Sequence, residues 1–198
     1  MKIHTTIGLA IACSALAPSA AAAQDANFNA FKAKTAASHD AAAEVKLGDL
    51  YRDGQGVAIN DHEAVSWYTA AAIQANPVAM VRLGQMTEKG AGIAQSDSDA
   101  FRWYKLAADF GNAKGMLEVG QAYSTGMGVA VDHVAAVRWF QASAARGDVL
   151  AMESLATAYT NGSGVAEDKA KAMRWLRKAA ALGSGTAQDE LKKRGLSP

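Results

Sequence analysis

Apolar and small residues recur at helical spacing inside a unit that repeats every thirty-six residues. In the second unit, Met80, Leu83, Gly84 and Thr87 fall on one helical face. Two columns of equivalent positions are Leu47, Leu83, Val119, Leu155 and Leu191, and Trp67, Trp103, Trp139 and Trp175. A period of this length predicts repeats that bury their apolar faces against one another, with the tryptophans in the core.

Residues that begin and end helices recur with the same period, twice in each unit. Good N-cap residues form two columns, Asp40, Asn76, Asn112, Asp148 and Ser184, and Asn60, Ser96, Asp132 and Asp168. Glycines able to end the first helix form two more, Gly54, Gly90, Gly126 and Gly162, and Gly56, Gly92, Gly128 and Gly164. Each unit is therefore predicted to be a pair of antiparallel helices.

The period divides the chain into repeats and end segments. The predicted repeats are residues 40–75, 76–111, 112–147 and 148–183. Phe28 and Phe31 lie one period before Ala64 and Trp67, so residues 24–39 are predicted to form an N-terminal capping helix. Residues 184–198 are predicted to form a C-terminal capping helix and tail. We expect an all-α solenoid of about ten helices.

The repeat unit resembles the Sel1-like repeat, a relative of the tetratricopeptide repeat. It reads A-x-x-x-L-G-x-x-Y, then G-x-G-V, a cap residue and A-x-x-W-Y. Thr87, Ala156 and Leu176 depart from this pattern at tyrosine, glycine and aromatic positions. The resemblance implies a right-handed superhelix of the tetratricopeptide kind, in which the first helix of each pair lines the concave side. It also implies an adaptor or scaffold; exported members include regulators, envelope-assembly factors and immunity proteins. A cysteine-rich branch is linked to β-lactams, but its paired cysteines are missing here.

The N-terminus has the pattern of an export signal. Lys2 precedes an apolar stretch over residues 7–16, and small residues lead to a predicted cleavage site between Ala23 and Gln24. Residues 1–23 are therefore interpreted as a signal peptide, the destination as the periplasm, and the mature protein as lacking a membrane anchor. Secretion is an alternative, as is lipidation of Cys13, the single cysteine.

Charge and motifs argue against several classes of function. With 20 basic and 19 acidic residues, no long-range field favours nucleic acid. The sequence lacks S-x-x-K, G-x-S-x-G and H-E-x-x-H motifs, and His39, His62 and His133 occupy different repeat positions. We therefore expect no catalytic site, no cofactor and no metal. A β-lactamase-like enzyme or a cell-wall ligand binder is a disfavoured alternative.

The predicted concave face carries residues that differ from repeat to repeat. They are Lys46, Asp49, Arg52, Arg82, Gln85, Glu88, Glu118, Gln121 and Thr157. Such variation on a constant frame is typical of a binding surface, although an unconstrained surface varies in the same way. We predict a monomer that binds a protein or peptide there; an inhibitor of a toxin is an alternative. A basic stripe on the second helices, from Arg102 to Lys178, is a competing docking surface or a solvated face.

Overall fold

The computed structural model describes residues 20–196, and the predicted export signal up to Ser19, with Cys13, lies outside this range. Within it the chain forms ten α-helices and no strands. Their bounds are α1 Ala20–Ser38, α2 Ala41–Asp53, α3 Asp61–Ile73, α4 Pro77–Lys89, α5 Asp97–Asp109, α6 Ala113–Thr125, α7 His133–Ala144, α8 Val149–Asn161, α9 Lys169–Ala181 and α10 Gly185–Lys193. The predicted all-α solenoid is confirmed, and α1 begins before the predicted capping segment. No helix in residues 20–196 is long and apolar enough to cross a bilayer.

The helices begin at the predicted cap residues. Asn76 accepts hydrogen bonds from the backbone N–H groups of Val78 and Ala79 at 2.9 and 3.2 Å. Gly90 ends the same helix in the left-handed conformation, with φ of 70°. Side chains of all nine predicted N-cap residues accept a backbone N–H in this way. Capping therefore fixes both helices of every repeat in the predicted register.

The helices pair within a repeat and then stack on the next repeat. We call α2, α4, α6, α8 and α10 the first helices, and α3, α5, α7 and α9 the second helices. The Leu83 column lies at the centre of the stack, and each of its five members is at most 1% exposed. The loops of the second, third and fourth repeats also reach the preceding repeat: a β-carbon at Gly128, for example, would lie 2.8 Å from the Ser98 amide nitrogen at the start of α5. The repeats thus share both a core and backbone contacts.

The prediction that the tryptophans form the core is wrong in detail. All four are only half-buried, whereas Tyr68 and Tyr104, each one residue later, are fully buried. An indole N–H needs a polar partner, and that of Trp67 donates to Glu63 at 3.2 Å. The tryptophans therefore lie at the rim of the core.

Candidate interaction surface

The first helices leave cavities between them, and we call the surface they form the groove. A cavity of about 530 Å³ lies between α8 and α10, with Leu176 of α9 completing its lining. A second, of about 380 Å³, lies between α6 and α8 above Phe140 of α7. Both openings lie on the helices predicted to carry the variable residues, so the groove is the candidate interaction surface.

At the N-terminal end of the groove, Asp49 is the centre of a charged cluster. Its Oδ1 accepts a hydrogen bond from the Tyr68 hydroxyl at 2.7 Å and lies 2.9 Å from an Arg52 terminal nitrogen. Arg82, from the next repeat, places its Nε 3.1 Å from the same oxygen. Three of the predicted residues, on α2 and α4, are therefore brought together at one carboxylate.

The two arginines differ in the hydrogen bonds that their N–H groups donate. Arg52 also donates two hydrogen bonds to Asp53, at 2.7 and 2.8 Å, and these hold the pKa of that carboxyl below its ordinary value. Arg82 Nε is buried, and its approach to Asp49 lacks hydrogen-bond alignment, so within the described residues it has no hydrogen-bond partner. Arg52 is therefore fixed by hydrogen bonds, whereas Arg82 Nε is held beside Asp49 by charge alone.

The second repeat carries acidic groups in the groove. Glu88 accepts a hydrogen bond from the Tyr104 hydroxyl at 2.6 Å. Burial of Tyr104, together with this bond, raises its pKa above the ordinary value. Glu118 on the next first helix is paired with Lys114 at 2.9 Å. The charged half of the groove thus contains both signs.

Towards the C-terminus, no Asp, Glu, Lys or Arg side chain of the described chain lines the cavity between α6 and α8, whereas Glu190, Lys193 and Arg194 line the cavity between α8 and α10. Gln121 lines the cavity above Phe140, and Thr157 lines both cavities. The tyrosines of the first two repeats are replaced here by Phe140 and Leu176, which have no hydroxyl to hold a carboxylate. The surface therefore changes along the solenoid from the Asp49 cluster to an uncharged polar cavity between α6 and α8, and it is charged again at α10.

Two predicted residues lie apart from the charged cluster. Lys46 is exposed and places its Nζ 5.6 Å above the ring of Phe31 on α1. Gln85 is half-buried on α4, in the column of Asp49. These side chains flank the cluster rather than join it.

The C-terminal helix contributes more to the groove than the sequence analysis proposed. Glu190 and Lys193 of α10 line the cavity between α8 and α10. They lie at the fifth copies of the Lys46 and Asp49 columns, so the period itself could have identified them. The sequence analysis interpreted α10 only as a cap and therefore did not predict that it lines the groove.

Two lysines of the second helices lie over tryptophan rings. Lys105 lies 5.4 Å from the ring centre of Trp139, and Lys178 lies 4.5 Å from that of Trp175. These positions favour the interpretation of the basic stripe as a solvated face. Within residues 20–196, no cluster of three or more His, Cys, Asp or Glu side chains is placed to hold a metal.

Comparison with known proteins agrees with this architecture. The sequence matches the Sel1 repeat family over residues 41–76, 77–112, 113–148 and 149–184. None of the curated proteins matches it.

Solved structures with similar folds come from several bacteria. The c5321 protein, a protective antigen present in uropathogenic Escherichia coli strains, is 33% identical with a TM-score of 0.79, over 86% of this chain and 37% of that one. A Sel1 repeat protein from Oxalobacter formigenes is 30% identical with a TM-score of 0.77, over 90% and 78%. Immunity protein Pa5087 from Pseudomonas aeruginosa shares the fold at 19% identity and a TM-score of 0.59, over 83% and 61%. The chain spans little more than a third of the E. coli protein. With four matched repeats covering most of its length, the chain belongs to the Sel1 repeat family.

Proposed function

We propose that this protein is a periplasmic interaction scaffold whose groove binds a protein or peptide partner. Sel1 repeat proteins generally mediate protein–protein interactions. The observation that supports this proposal is that the side chains of the groove change along the solenoid, from the Asp49 cluster to the cavities beside Thr157, while the helical frame stays constant. A partner with charged groups facing the Asp49 cluster and uncharged polar groups facing the cavity between α6 and α8 fits this surface.

The proposed partner engages the arginines of the Asp49 cluster directly. The side chains of Arg52 and Arg82 are about one-third exposed at the groove. An acidic side chain or a main-chain carbonyl of the partner accepts hydrogen bonds from their exposed N–H groups. A toxin is one class of protein that such a groove would occlude.

Affinity capture from a periplasmic extract tests the proposal with two variants, each of which loses two positive charges. R52Q/R82Q removes two groove cations, whereas R138Q/K169Q removes two exposed cations of the second helices, outside the groove. A single partner retained by the control and lost with R52Q/R82Q is expected. A partner retained by both variants would contradict a groove site, and the absence of any partner would contradict the scaffold.

The proposed location and the absence of catalysis have separate tests. Sequencing of the exported protein is expected to give Gln24 as the first residue, whereas a lipid-modified Cys13 would show anchoring instead. Hydrolysis of a reporter β-lactam by the purified protein would contradict the scaffold and favour the enzyme alternative.

A further inference from the structure

The second repeat departs from the others at one buried position. Tyr51, Tyr123 and Tyr159 share a column, and Thr87 stands in the same column on α4. Thr87 is buried, and its hydroxyl donates to the Leu83 carbonyl at 2.8 Å within its own helix. The second repeat therefore lacks an aromatic ring that the other three repeats carry.

The three tyrosines show where that ring lies. Tyr51 and Tyr123 make edge-to-face contacts with Phe28 and Phe101, at centroid distances of 5.4 and 5.5 Å. Tyr159 borders Trp175, and the Lys171 ammonium is 5.4 Å from its ring centre. The column thus places a phenol ring between successive second helices, beside the tryptophan of its own repeat.

A cavity occupies this place in the second repeat. It has a volume of about 440 Å³ and is bounded by Thr87, Ile93, Trp103 and Leu106, with Asp99 and Arg102 at its polar edge. It lies beside α5 and the α4–α5 loop, separate from the cavities of the groove. The equivalent space in the fourth repeat, which contains Tyr159, is only about 260 Å³.

Trp103 also lacks two lysines that lie over other tryptophans. Leu106 stands where Lys178 places its ammonium group over Trp175, and Thr69 stands where Lys105 places its ammonium group over Trp139. Leu106 itself is 39% exposed at the edge of the cavity. The indole therefore faces an apolar space that the chain fills elsewhere with its own side chains.

In the first repeat, a basic residue lies beside the tyrosine of this column. There, Lys32 donates to the Tyr51 hydroxyl at 2.8 Å and lies 3.5 Å from a carboxylate oxygen of Glu63. In the second repeat, Asp99 occupies the position of Glu63. Its side chain is half-exposed and pairs with the exposed Arg102 at 2.8 Å. An exposed pair of this kind exchanges readily with an incoming cation.

We propose that this cavity, the Trp103 pocket, binds a tyrosine side chain presented by a partner polypeptide, next to a basic residue that pairs with Asp99. The proposed occupant is a tyrosine side chain, which the first, third and fourth repeats carry themselves at the position of Thr87. This inference does not depend on the proposed groove function, because the two surfaces share no lining residues.

Titration with N-acetyl-tyrosinamide, followed by nuclear magnetic resonance of the four indole N–H groups, tests the pocket. We expect a saturable shift of the Trp103 signal, with much smaller shifts for the other three tryptophans. N-acetyl-leucinamide is the control ligand and is expected to bind at least about tenfold more weakly. Addition of a lysine beside the tyrosine should strengthen binding to the native protein and not to D99N.

Variants distinguish the pocket from general aromatic adhesion. T87Y places the missing ring in the cavity and is expected to weaken binding at least about tenfold, whereas T87V leaves the cavity open and should stay within about twofold of the native affinity. L106K, at the surface, covers Trp103 as Lys178 covers Trp175, and it should also weaken binding if T87Y fails to fold. No saturable Trp103 shift in the native protein, or an undiminished shift in both T87Y and L106K, would overturn the proposal.

Discussion

Gly84 on α4 lies directly against the ring of Tyr104 on α5, so that a β-carbon at position 84 would lie 2.6 Å from Tyr104 Cδ1. Gly48 and Gly120 stand in the same relation to Tyr68 and Phe140. In the fourth repeat both positions change together, to Ala156 and Leu176. The small residue and the aromatic residue therefore form one packing unit, and an alanine is compatible only with a slimmer partner.

The first prediction concerns this unit. G84A is expected to lower the free energy of unfolding by about 1–3 kcal/mol, because the added methyl group displaces a fully buried ring. Y104L is also destabilising, but G84A/Y104L should be more stable than the sum of the two losses predicts, by about 0.5–3 kcal/mol. Urea unfolding of the four proteins measures the difference. Strictly additive losses would show that the two positions are independent.

Most of the fold could be predicted from the period alone. Cap residues such as Asn76 and the Leu83 column determine helix ends and buried faces through local geometry, which sequence spacing records directly. The half-burial of the tryptophans could not be predicted in this way. Adjacent apolar residues such as Trp67 and Tyr68 differ in direction by about 100° on a helix, and spacing does not show which of the two faces the neighbour more closely.

The second prediction concerns the buried carboxyl group of Glu44. This side chain is 2% exposed and accepts a hydrogen bond from Gln74 at 2.7 Å, and the other three repeats carry Met80, Met116 and Met152 at its position. E44M should raise the free energy of unfolding by about 1 kcal/mol, because the desolvation of the buried carboxyl group costs more free energy than its hydrogen bond from the Gln74 amide recovers. Thermal unfolding monitored by circular dichroism measures it. E44Q, which keeps the hydrogen bond, should give a smaller gain; a loss with E44M would show that the carboxyl group is stabilising.

The third prediction concerns stability at alkaline pH. Burial and the bond to Glu88 raise the pKa of Tyr104 in the folded protein above the value of about 10 in the unfolded chain. Its contribution is complete below pH 10 and decreases as the pH rises above 10, because only the unfolded state then loses the proton. The free energy of unfolding of Y104F should therefore fall less between pH 9 and 11 than that of the native protein. Equal losses in urea titrations at the two pH values would contradict this assignment.

The candidate site was less predictable than the fold. Repeat columns identified Asp49, Arg52 and Arg82 as surface positions, but their convergence on one carboxylate depends on side-chain rotamers and on the Tyr68 hydroxyl from another helix. Their role in binding stays a prediction. The sequence analysis did not predict the Trp103 pocket, although the departure of Thr87 from the repeat pattern removes a ring and so signals unfilled space.

The last prediction separates two glycines that share a left-handed backbone. Gly128 and Gly147 have φ of 66° and 87°, but a β-carbon at Gly128 would overlap the Asp97 carbonyl of the preceding repeat, whereas nothing lies within 4 Å of one at Gly147. G147A should therefore cost only the conformational strain, about 1 kcal/mol, while G128A adds a displacement of backbone against backbone. The larger loss should come with weaker coupling between repeats, because stability in a solenoid depends on contacts between neighbours. Tryptophan fluorescence and circular dichroism should then give separate unfolding midpoints for G128A and a common one for G147A. Equal losses with a single transition would show that the loop contact does not couple the repeats.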